Sequence, residues 1–176
     1  MTPREVEEYR ALRATIRERG SLRIVLFIII MIAWAAATIA TAALAALPVA
    51  TLLPLFLLAA GLESLFALHT GVERVGRYLQ VFYDEGEREW ERTSMAYGRA
   101  NPGGPDPLFT VYFCVATVLN FVPVLIADPV RLELQVVGTA HVLFLVRIFV
   151  ARRTAGRQRA VDLDRFERLR SQKSEG

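Results

Sequence analysis

Glu63, His69 and Glu73 fall within GLESLFALHTGVER, a stretch that otherwise has the composition of a membrane helix. His69 and Glu73 are four residues apart and share one helical face. That spacing could supply two ligands to a divalent metal ion, or an acid–base pair acting on a lipid or quinone. Glu63 points about 120° away from His69 by helical phase, so one helix addresses two neighbours with different polar groups. A carboxylate halfway through a bilayer is costly unless it is neutral, paired or hydrated. Glu63 is therefore expected to face the protein interior, as a proton or cation site.

Two further helices offer polar groups near the same depth. Counting at helical rise, Glu63 lies about 14 Å from the outer end of its span and His141 about 18 Å, with Asn120 about 12 Å from the outer end. Glu63, Asn120 and His141 form the expected midplane polar site. His69, Glu73, Arg77 and Arg147 form the expected inner-mouth site, with His69 and Glu73 as the candidate metal ligands. Each set also has a plainer role. Glu63 could be a neutral carboxyl bonded to Asn120 or His141 and serve as interhelical glue. The inner group could be an interfacial hydrogen-bonded pair, with Arg74 and Arg77 snorkelling to headgroups.

The supply of ligands argues against a metal cluster. The chain has two histidines and one cysteine, Cys114, which sits in an apolar run as a small buried residue. The Glu-x-x-His spacing of carboxylate-bridged di-iron bundles is absent. Ser64 lies beside Glu63 on a different helical face and lacks the surroundings of a nucleophilic serine. Neither a phosphate loop nor a dinucleotide fingerprint is present, and the sequence leaves any cofactor unknown.

The elements that must position these residues are apolar helices. Residues 24–47 form a 24-residue run without a charge, longer than the roughly 20 residues that span a hydrocarbon core. Three more apolar stretches follow, at 49–70, 108–127 and 132–150. The fold expected is an all-α integral membrane protein of a single membrane domain with four transmembrane helices. An amphipathic helix (1–21) precedes the first span (22–47). The second span (51–84) continues as a cytoplasmic extension, and a connection (85–107) leads to the third (108–127). The fourth (129–151) ends in a basic tail (152–176). A long, partly acidic N-terminal region separates the first span from a cleaved signal peptide.

Arginine sets the orientation. Residues 1–23 hold six Arg, the 73–107 connection five, and residues 151–176 seven together with Lys173; the two other connections hold only Arg131. The positive-inside rule then places both termini in the cytoplasm of a multi-pass plasma (inner) membrane protein. The arginines are read as topology signals and as possible contacts with anionic lipid, not with nucleic acid.

Smaller signals mark the joints. Thr2-Pro3-Arg4-Glu5 has the form of a capping box, and Asp128-Pro129 that of an N-cap and first helical residue. Val6, Tyr9, Leu12 and Ile16 recur at helical spacing, as do Leu163, Phe166 and Leu169; the terminal helices are expected to pack together or lie on the inner leaflet. Gly86 is expected to stop the second helix. Residues 87–98 should form an interfacial helix bearing Trp90 and Tyr97, followed by a turn-rich loop at 100–107. In the first span, Ala33, Ala37, Thr41 and Ala45, flanked by Ala36 and Ala40, form a small-residue row that would let helices approach closely.

Four spans seldom enclose a solute pathway, so a homo-oligomer is expected. The leading functional expectation is an oligomeric channel or transporter for an ion or small solute. A membrane enzyme and a non-catalytic scaffold subunit are the alternatives.

Overall fold

A computed structural model describes residues 1–44, 47–83, 93, 96, 97, 100 and 106–175. Among these the protein is all helical. Four helices run Pro3–Leu44 (α1), Leu52–Phe82 (α2), Thr110–Ile126 (α3) and Arg131–Glu175 (α4), and a 3-10 turn at Pro48–Thr51 leads into α2. Asp84, Gly86 and Trp90 lie outside the described residues, as does most of the expected interfacial helix and loop.

Three segments are long and apolar enough to cross a bilayer: α1, Pro48–Phe82, and α4. α3 is apolar but has only 17 residues, about 26 Å at helical rise against a core of roughly 30 Å. Long apolar faces on these helices fit contact with a lipid bilayer.

The expected division of the first and last segments into separate helices is not seen. α1 runs through Gly20 and α4 through Gly156. A single glycine weakens a helix by about 1 kcal/mol, whereas an interior proline is needed to break one sharply, and the only proline in either helix is Pro3 at the very start of α1. The capping box forms as expected. Thr2 donates its N–H to Glu5 Oε2 (2.6 Å), and the Glu5 N–H donates back to Thr2 Oγ1 (3.3 Å).

The expected Asp128-Pro129 helix start is displaced. Asp128 adopts a left-handed conformation (φ 48°), α4 begins at Arg131, and Glu133 Oε2 accepts the Val130 N–H. Asp tolerates that backbone better than most residues, so it serves as the corner between α3 and α4 and not as the cap. α3 has a cap of its own. Asp106 accepts bonds from the Leu108 and Val111 N–H groups and from the Thr110 hydroxyl, while Phe109 turns through φ 52°.

The chain divides into two compact units. The first combines Met1–Leu22, Ala67–Pro105 and Thr154–Gly176. In it both terminal helical segments pack on the second half of α2. Tyr78 donates to Glu8 (3.0 Å) and stacks edge-on against Phe166, while Tyr9 meets Tyr83. Arg170 donates to the Val81 carbonyl. Burial, together with the Glu8 carboxylate, pushes the Tyr83 hydroxyl up to about 12.

The second unit, Arg23–Phe66 with Asp106–Arg153, holds the apolar core. Leu55, Leu58, Leu62 and Leu65 on α2 pack with Ile30, Phe113, Ala116, Phe144 and Ile148. Gly61 of α2 lies tight against α1, where a Cβ would lie 2.6 Å from Ile30 Cγ2. The α1 residues that pack inward are Leu26, Phe27, Ile30, Met31 and Trp34. From the expected small-residue row, Ala33, Ala36 and Ala40 are exposed. Ala37 and Thr41 of that row are partly buried, and Ala45 lies outside the described residues.

Candidate functional site

Asn120 is the centre of the second unit's polar interior and is completely buried. Its Nδ2 donates to the Thr51 carbonyl (2.9 Å) and approaches His141 Nε2 (3.0 Å). His141 Nδ1 lies 2.8 Å from the Val137 carbonyl. A carbonyl can only accept, which assigns the imidazole proton to Nδ1 and leaves Nε2 to accept from Asn120. Asn120 Oδ1 accepts from Trp34 Nε1 (3.3 Å) and lies as near the Thr38 hydroxyl, which also reaches the Trp34 carbonyl (2.9 Å). Both amide hydrogens and one acceptor direction of Asn120 are thereby used, while the single Thr38 hydroxyl proton serves either Oδ1 or the Trp34 carbonyl. The edge of Phe121 closes over the imidazole at 5.0 Å. α1, the turn before α2, α3 and α4 each contribute to this node.

Why these residues meet follows from their helices. Trp34 and Thr38 are one turn apart on α1. Thr51 ends a 3-10 turn whose hydroxyl bond to Pro48 O (2.7 Å) fixes the carbonyl that Asn120 reads. A polar group buried in apolar surroundings is costly unless bonded, and here every partner is itself buried or half-buried.

Glu63 is not part of this node. Its side chain is half exposed, and Arg147 Nη2 donates to Glu63 Oε2 at 2.7 Å. The guanidinium also lies over the Phe66 ring, 5.4 Å from its centre. Ser64, next in sequence, is exposed and turns its hydroxyl back to the Ala60 carbonyl (2.9 Å). The charged pair therefore lies on the exterior of α2 and α4, on the side of α2 where Ala60 and Ser64 are exposed. The Leu55–Leu58–Leu62–Leu65 stripe explains this placement: it turns inward, and the 100° step per residue swings Glu63 and Ser64 off it.

Large apolar side chains are exposed on every helix of this unit, α4 included, with Val142, Leu143, Val146 and Phe149. α1 exposes Ile24, Val25, Ile28, Ile29, Ile32 and Ile39; α3 exposes Val111, Val115, Val118, Leu119, Val122 and Leu125. Large branched side chains of this type suit acyl chains. Two apolar hollows also belong to the unit. One, of about 520 Å³, is lined by Thr41, Pro48, Thr51 and Pro123; the other, of about 300 Å³, runs along Phe121, Gly138, His141 and Leu145.

The expected inner-mouth residues are distributed over both units. In the first, His69 and Arg77 are buried. Arg77 Nη2 donates to Glu73 Oε2 (3.2 Å) and Nη1 to Gln80 (2.8 Å), while Arg159 reaches the same Glu73 oxygen (2.8 Å). Beside them Asp162 is buried between Arg74 (3.4 Å) and Gln158 (3.0 Å). Arg147 belongs to the second unit and is engaged by Glu63. The Glu73 carboxylate is thus committed to two guanidiniums. Among the described residues no three His, Cys, Asp or Glu side chains converge as metal ligands would.

Sequence spacing brought Asn120 and His141 together but passed over Trp34, Thr38 and the Thr51 carbonyl. It also passed over Asp162, whose signal was an acid at helical spacing from Gln158 inside an arginine-rich tail. Comparison with protein-family models, with curated proteins and with solved structures found no match.

Proposed function

We propose that the protein is a small multi-pass membrane subunit that works by assembly, with the α2–α4 face of its second unit as the contact surface. One observation carries this reading: the Glu63–Arg147 pair is half exposed on an apolar helical unit. Charged groups within a membrane face protein or water, because hydrocarbon solvates them poorly. A neighbouring protein surface satisfies that demand. Asn120 and Glu73 are spent on internal partners, which fits structure-holding more than turnover. In this reading α3 completes four crossings of the plasma membrane. Both termini lie on the cytoplasmic side, as the arginine distribution requires.

Photo-crosslinking tests it. A photoreactive side chain at Ser64 in intact membranes is expected to give protein adducts, while the same group at Ile28 or Val118 gives lipid adducts only. Equal behaviour at all three positions would overturn the assembly role.

A second reading is favoured by the polar groups that share this exterior. Gln135 and Thr139 are exposed on α4 and line a shallow groove with Leu132, Val136, Ala140 and Leu143. Once covered, such a strip would offer a hydrated path for an ion or small polar solute. Flux through proteoliposomes that changes in Glu63→Gln would support the path; absence of flux removes it.

A further inference from the structure

Resting on the assembly reading, we propose that the partner on the α2–α4 face is a second copy of this chain, related by a two-fold axis along the membrane normal. Glu63 stands on α2 and Arg147 on α4, so their pair forms a dipole directed from one helix to the other across the face. Two copies inserted with the same orientation can be related by an axis perpendicular to the membrane. Rotation by 180° about it reverses any dipole lying in the membrane plane. The two pairs then meet antiparallel, each carboxylate beside the other copy's guanidinium. A surface carrying both signs side by side is self-complementary in this way, as an isologous interface requires.

The local chemistry suits such a contact. Arg147 uses Nη2 on Glu63 and rests on Phe66, leaving donors of its fork for a second carboxylate. A half-exposed carboxylate likewise has acceptor capacity to spare. Ala60 and Ser64 flank the pair on the exposed side of α2 and are small, so two helices can approach closely enough for the charges to meet. Covering the four charges together lets each be solvated by two opposite charges in place of one.

The test is complementation between differently tagged copies. Glu63→Arg gives a chain with two positive groups on this face; Arg147→Glu gives a chain with two negative ones. Each should associate poorly with itself. Co-expressed, the two should co-purify about tenfold better than either like-charged pair, which is roughly 1.4 kcal/mol of coupling. Recovery in the mixed pair also shows that both variants fold. An otherwise wild-type check is a Ser64→Cys, Cys114→Ala chain, which should form a disulfide-linked dimer in membranes, whereas Val118→Cys in the same background should not.

Mixed copies that associate no better than like-charged ones, with no Ser64→Cys dimer, would overturn the second copy as partner. If Ser64 photo-adducts with other proteins persist in that case, the assembly role survives without it. If the adducts are missing as well, both proposals fall.

Discussion

The Asn120 node and the Glu63–Arg147 pair belong to the same compact unit, and they solve the problem of polar groups among apolar ones in opposite ways. Asn120 is neutral, fully enclosed, and bonded to three other segments, α1, the turn before α2, and α4. Glu63 and Arg147 are charged, half exposed, and bonded chiefly to each other. A neutral amide can be buried because hydrogen bonds alone repay its desolvation, whereas an ion pair taken out of water needs more than one partner to break even. The enclosed cluster is therefore suited to hold one arrangement of helices. The open one is suited to meet something outside the chain.

The sharpest way to break this contrast is to remove the node. Asn120→Leu keeps volume but leaves the Trp34 N–H, the Thr51 carbonyl and His141 Nε2 without their common partner. Buried polar atoms so orphaned cost about 1–3 kcal/mol each in water-soluble hosts and less in membranes. The expected loss is about 2–4 kcal/mol, read as a lowered thermal midpoint in detergent. A loss under about 0.5 kcal/mol would mean that the node is incidental and only the core packing matters.

Gly61→Ala should come next. Its new methyl would sit 2.6 Å from Ile30 Cγ2, so α1 and α2 must part or Ile30 must leave its rotamer. Overpacking of this kind costs about 1–3 kcal/mol. Because Ile30 lies one turn from Trp34, the same substitution should also weaken the Trp34–Asn120 bond, visible as a change in indole fluorescence. Thermal midpoint and fluorescence that both stay at wild-type values would show that the contact yields easily.

How far the sequence revealed this arrangement depends on which residues are considered. The apolar runs made the helices plain, and the arithmetic of helical rise put Asn120 and His141 within about 6 Å of each other in depth, near enough for the contact they make. Depth says nothing about azimuth, however. The facing of Glu63 is decided by which stripe of α2 wins the core, and Leu55, Leu58, Leu62 and Leu65 win it through combined burial. That stripe was readable in advance, but the expectation that a membrane carboxylate faces inward outweighed it. Thr51 was invisible for another reason: it acts through its backbone carbonyl, which no residue type advertises. The continuity of α1 and α4 was likewise missed because polarity changes along each helix, while nothing in the backbone chemistry interrupts it.

His141→Phe probes one arm of the node. Phenylalanine fills much of the imidazole's space but cannot accept from Asn120 or donate to Val137. One amide hydrogen and one carbonyl lose their partner, at about 1–2 kcal/mol together. Paired with Asn120→Leu, the double variant should lose less than the sum of the singles, because both changes remove the same bond. Strict additivity in thermal unfolding would separate His141 from the node.

The smallest effect on the isolated chain should come from the charged pair, and here the contrast is most exposed to failure. In detergent that separates copies, Glu63→Gln should change stability by about 0–1 kcal/mol, the range of ion pairs open to solvent. Replacing both partners, Glu63→Leu with Arg147→Leu, should leave the monomer as stable as the parent or more so, since two charges are traded for apolar packing. Association between copies should be lost in that same double variant. A surface made for a partner separates these two readouts, because its side chains matter only once it is covered. If the leucine pair instead lowered the thermal midpoint of the single chain as far as Asn120→Leu does, Glu63 and Arg147 would be holding the helices together from outside, and the distinction between an enclosed and an open cluster would vanish.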